Sequence, residues 1–126
     1  MRFRDAKQRA TVCHVLLKLV RMERFFPLPG DVGEYRPTND AENEYLRILS
    51  NESVLSSGEK TMLLFMFYIW NDRGDPKVRD LEQLEHLLVG AIGHLIHDAS
   101  SKNPVMVDQW IDRWKDVDAA AEYFAS

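Results

Sequence analysis

Residues 61–70 read TMLLFMFYIW, and whether this decapeptide is helix or strand decides the fold. The run from Met62 to Trp70 has no polar face, so its flanks must settle the matter. Upstream, Ser56 stands three residues before Glu59. In that pattern a serine hydroxyl accepts the glutamate amide while the glutamate side chain reaches back to the cap. Downstream, Asn71 and Asp72 close the run and DRGDP follows as a turn. Phe, Tyr, Ile and Trp also suit strands, but the cap and the Met and Leu content favour a helix over about 57–72. A helix that is apolar all round has to be surrounded, which makes this segment the expected central helix of a bundle.

Working outward, four further segments carry helical signals. Ala6, Ala10, Cys13, Leu17 and Val20 repeat at alternating spacings of four and three, widened by Val12, Leu16 and Leu19, and predict a helix from Asp5 to Arg24. FFPLPGDVGEYRP, residues 25–37, cannot continue it, because its prolines remove donors and fix the backbone. Its Phe25, Phe26, Leu28 and Tyr35 predict an ordered loop laid on the body. Asn39 with Glu42 has the form of a cap and its reciprocal partner, opening a short segment that Asn51 stops. A fourth segment runs from about Pro76 or Asp80 to His97. The fifth begins at Asn103-Pro104, a cap followed by the proline favoured at the first helical position, and carries Val107, Trp110, Trp114, Val117, Ala121 and Phe124 on one stripe. No segment alternates with period two. The expected fold is all-α: a compact bundle of about five helices around the central apolar one, with residues 1–126 as a single helical domain.

The bulk properties agree. A chain of 126 residues can bury roughly 65–70% of its unfolded surface around one core, and 45% hydrophobic with 29% charged residues is ordinary globular composition. One cysteine, Cys13, rules out an internal disulfide and a multi-cysteine zinc knuckle. The basic start lacks an uninterrupted apolar stretch and a small-residue cleavage site, and the longest apolar run is far short of the ~20 residues of a membrane span. A cytoplasmic protein is the expectation. Net charge is −4, yet residues 1–24 alone carry +5, leaving −9 for the remainder. That asymmetry fits either a basic arm for an anionic partner or a basic helix lying against its own acidic body.

Three of the four histidines fall in HLLVGAIGHLIHD, residues 86–98. At about 100° per residue, His86, Gly90, Gly93 and His97 share a sector of roughly 60°, with His94 some 60° further round and Leu84, Leu88, Ala91, Ile92 and Leu95 opposite. The His and Gly stripe is therefore expected to face away from the core. Two glycines inside a helix cost about 1 kcal/mol each relative to alanine, which asks for a close neighbour or a bend. The stripe could form a notch for a partner protein or a second copy of the chain, with histidines at its rim. It could equally be internal close packing or a solvated face. A metal is the other chemistry to weigh. His86 lies about 16 Å along the axis from His97, too far to share an ion, whereas His94 and His97 could do so with Asp98 and one more acid.

Other chemistry is present only in fragments. LSSGEKT, residues 55–61, compares poorly with a phosphate loop, since Glu59 separates Gly58 from Lys60 and Ser53 stands where a first glycine is needed. It also looks like the signature peptide of ABC-type ATPases over about six residues, but without a phosphate loop no function follows from it. Cys13 lies on an apolar stripe, where a thiolate is disfavoured, and no nucleophile elbow is present. The basic first segment lacks the interleaved aromatics of a stacking surface for nucleic acid. The reading that remains is a helical protein that binds another protein or itself, as an immunity, inhibitor or adaptor protein does, without a cofactor. Its candidate residues are His86, Gly90, Gly93, His94 and His97. A metal-dependent or hydrolytic enzyme built on His94, His97 and Asp98 is the first alternative. Nucleic-acid binding through the basic N-terminal helix is the second.

Overall fold

In the computed structural model, which describes residues 1–28, 34–74 and 76–116, Ser56 and Glu59 cap one another as their spacing predicts. Ser56 Oγ accepts from the Glu59 amide at 3.2 Å and Glu59 Oε1 accepts from the Ser56 amide at 3.0 Å. The decapeptide that follows is helix. The elements are α1 (Ala6–Lys18), a 3-10 turn (Glu23–Phe25), α2 (Asn39–Leu49), α3 (Ser57–Asn71), α4 (Val78–Glu82), α5 (His86–Ser100) and α6 (Val105–Trp114), with no strand among the described residues. The fold is all-α, with six helices among the described residues where about five were expected.

Helix α3 buries Met62, Leu63, Phe65, Met66, Phe67 and Ile69. Its remaining line, Leu64 and Tyr68, reaches the surface, with Tyr68 37% exposed. Helices α1 and α2 pack on it: Cys13 Sγ of α1 points at the Met66 carbonyl, and the Tyr45 ring of α2 lies 4.8 Å from that of Phe67. Helix α1 also packs on α6, and α6 packs on α5, so α1 joins the two halves of the bundle. A polar staple fixes that junction. Gln8, buried on α1, accepts from the Arg4 amide at 2.7 Å and donates to the Pro104 carbonyl and to Asp108, each at 2.9 Å, while Arg4 pairs with Asp108.

The fourth segment runs on to Ser100, past the expected His97, and four further boundaries differ from the sequence expectation for a local reason. The first helix stops at Lys18 instead of reaching Arg24, because Arg21 adopts a left-handed conformation (φ 58°) and the Met22 amide returns to the Leu17 carbonyl at 2.8 Å. This turn delivers Met22, Phe25 and Phe26 to the core, and their burial outweighs the propensity of the segment to continue. The cap of α2 is Thr38, not Asn39: its hydroxyl accepts from the Ala41 amide at 3.1 Å, and its own amide is held by the Phe25 carbonyl at 2.9 Å. The fourth segment breaks in two at residues 83–85, where the turn sends Leu84 inward. In the fifth, Asn103 Oδ1 accepts from the Val105 amide at 3.1 Å, so α6 opens one residue beyond the expected start.

Other expectations hold, with Leu28 an exception. Asn51 stops α2 in the left-handed conformation (φ 56°), with the Glu52 amide returning to the Arg47 carbonyl. In the loop after α1, Phe25, Phe26 and Pro37 are buried and Tyr35 is half-buried, while Leu28 is exposed. His14 Nδ1 donates to the Phe26 carbonyl at 2.8 Å and ties the loop down. Val107, Trp110 and Trp114 are buried on α6 as their spacing predicts; Val117, Ala121 and Phe124 lie outside the described residues.

Candidate functional site

Helix α5 owes its place to one apolar stripe and two anchors. Leu88, Ala91, Ile92, Leu95 and Ala99 are buried at the three and four spacings of a helix. Trp110 Nε1 of α6 donates to the Ala91 carbonyl at 2.9 Å, and the Arg2 amide donates to the Ala99 carbonyl at 2.7 Å, satisfying one of the last carbonyls of the helix. This fixes both the height and the rotation of α5.

That rotation decides which residues form the outer face. His86, Gly93 and His97 are exposed, as the spacing predicts, but Gly90 and His94 are turned half inward. The His94 ring lies 6.3 Å from the Trp114 ring, edge to face. On the other flank Val89 and Ile96 are exposed at 38% and 42%. The solvent-facing sector therefore runs from Ile96 and Val89 through Gly93 to His86 and His97. It is more apolar than a His and Gly stripe alone. A wheel drawn from sequence assumes that the core lies at the centre of the apolar residues. Here α6 packs against one side of α5 and rotates the exposed sector toward Val89 and Ile96.

Gly93 is the open point of that sector. A Cβ built on it would meet no atom within 4 Å, so no neighbour among the described residues requires glycine there. Val89 and Ile96 stand one turn before and one turn after it, and the glycine leaves a shallow dip between two apolar ridges.

The residues weighed for other chemistry are dispersed. His97 Nδ1 lies 3.0 Å from Asp98 Oδ1, but His94 faces Trp114. Among the described residues no group of three or more His, Cys, Asp or Glu is placed to hold a metal ion. Burial pushes the Cys13 thiol up in pKa, and its neighbour in sequence, His14, is engaged by Phe26 instead. LSSGEKT forms the α3 cap. Of the basic residues of the first segment, Arg9 is half-buried and Arg2, Arg4, Lys7, Lys18, Arg21 and Arg24 are exposed, although four of the seven make contacts with the body. Arg4 pairs with Asp108, Arg9 reaches the Trp70 carbonyl at 3.4 Å, Lys18 the Lys115 carbonyl at 3.2 Å, and Arg24 lies over the Phe25 ring. Among the described residues no helix is long and apolar enough to cross a membrane.

Sequence reasoning missed a cleft of about 390 Å³ that Leu19 and Val20 after α1, the N-terminus of α3 and the α4–α5 turn enclose. Leu84 and Leu88, both read as core, reach it from below. The signal was hidden because the cleft depends on two chain reversals, at Arg21 and at residues 83–85, that break segments whose periodicity runs on.

Comparison with known proteins finds no matching family model, no similar curated protein and no similar solved structure.

Proposed function

We propose that this protein acts by binding another protein, and that the outer face of α5 receives a helix of that partner. The observation that carries the reading is Gly93. A glycine in a helix interior costs about 1 kcal/mol relative to alanine, and nothing in the described chain occupies the space that a Cβ would take. A destabilising residue with no packing use among the described residues is accounted for by close approach of a backbone from outside. Val89 and Ile96 then supply the apolar contact on either side, and His86 and His97 the polar rim, in the manner of a helix laid along a shallow groove.

The test compares four full-length chains: wild type, Gly93→Ala, Gly93→Leu and Ile96→Glu. Gly93→Ala is expected to raise stability toward urea by about 0.5–1 kcal/mol. A protein captured from the source cells by the wild type is expected to be lost with Gly93→Leu and Ile96→Glu while circular dichroism stays unchanged. Light scattering over a range of concentrations identifies the case in which the partner is a second copy. Capture that survives both substitutions would overturn the proposal, as would a wild type that captures nothing and stays monomeric.

A further inference from the structure

We infer that the cleft between the end of α1, the start of α3 and the α4–α5 turn is a second docking site, for a short polypeptide segment that combines apolar side chains with a lysine or arginine. The volume, about 390 Å³, falls within the range of roughly 300–1,000 Å³ over which protein pockets take a ligand. A smaller depression of about 170 Å³ adjoins it at Gly58, Gln83 and Leu84.

The floor is apolar: Leu84 and Leu88 are buried beneath it and Leu19 and Val20 are half-buried along one side. Around it the charges are unequal. Glu59 and Glu85 line the larger cleft and Asp80 the smaller, against Arg21 alone. Helix α3 begins here, and a helix start by itself would attract an anion. Two carboxylates lining the cleft and a third at the adjoining depression reverse that preference, and the Glu59 amide is already given to Ser56. The occupant that matches is an apolar segment bearing positive charge, its side chains on the leucine floor and its basic group among the carboxylates. Gly58 keeps the groove open. A Cβ on it would sit 3.7 Å from Leu84 Cδ2, in ordinary contact, and anything longer would extend across the floor.

This site is separate from the outer face of α5 and is tested separately. The probe is a displayed library of random twelve-residue peptides, selected on the full-length protein at low salt. Selected peptides are expected to pair two or more large apolar residues with at least one lysine or arginine. Their affinity is expected to fall at least tenfold with Gly58→Leu and with Glu85→Lys, and to weaken as salt is raised. Glu85 makes no side-chain cap to α5, so its reversal removes no cap hydrogen bond, and thermal melting of both variants checks that they fold. Ile96→Glu is expected to leave peptide binding unchanged. Selection of acidic peptides, binding indifferent to Gly58→Leu and Glu85→Lys, or failure to select any peptide would each overturn the inference.

Discussion

At the scale of single residues, the buried polar side chains show what the core tolerates. Glu44 on α2 is buried, yet its carboxylate is fully engaged: Ser53 Oγ donates to it at 2.5 Å and Arg47 at 2.9 Å. The Ser53 hydroxyl is the main cause of a carboxyl pKa held below the ordinary glutamate value, with Arg47 adding to it and burial opposing it. A depressed folded pKa means that the unfolded chain binds the proton more readily. The stabilisation from Glu44 is thus complete above about pH 4.3 and fades as pH falls through the lower folded value. Replacing Glu44 with Gln is expected to cost about 1–3 kcal/mol near neutral pH, since hydrogen bonds to a charged group are lost. Urea titrations of the two proteins from pH 6 to pH 3 check this. The gap should narrow below about pH 4, and a gap constant over the whole range would refute the assignment.

Among elements, what could be read from sequence was whatever a local rule controls. Ser56 and Glu59 announced α3 because both partners of the capping box lie within four residues, and Asn51 announced the end of α2 because asparagine accepts a left-handed conformation at low cost. Arg21 takes the same conformation with no such residue preference, so the end of α1 was invisible until Met22, Phe25 and Phe26 were seen in the core. The histidine face failed in phase for a related reason. The wheel knows which residues are apolar but not that Trp110 and Trp114 of α6 come from one side. The cap of α2 separates the two kinds of information. Sequence pattern favours Asn39, whereas the structure uses Thr38, held in place by a loop carbonyl thirteen residues earlier in the chain. Thr38→Ala should therefore cost about 1 kcal/mol, and Asn39→Ala only a few tenths, in paired urea denaturation experiments. The reverse order would restore Asn39 as the cap.

For the molecule as a whole, the arrangement of helices sets how it unfolds. Helices α2 and α3 on one side and α5 and α6 on the other meet through α1, whose Val12, Cys13, Leu16 and Leu17 are without exposure, and through the Gln8 staple to Pro104 and Asp108. Neither half can lose α1 and keep its own apolar face covered. The expectation is one cooperative transition, and the tryptophans are placed to test it, because Trp70 lies on α3 while Trp110 and Trp114 lie on α6. Fluorescence of Trp70 alone, in a chain with Trp110→Phe and Trp114→Phe, should report the same urea midpoint as the far-ultraviolet circular dichroism of that chain. The same should hold for the two α6 tryptophans in Trp70→Phe. Adding Leu16→Ala at the junction opens a cavity and should lower stability by about 2–5 kcal/mol, moving both fluorescence transitions together. Should the Trp70 transition shift while the α6 transition stays in place, α1 would belong to one half alone, and the chain would be two stacked units instead of one bundle.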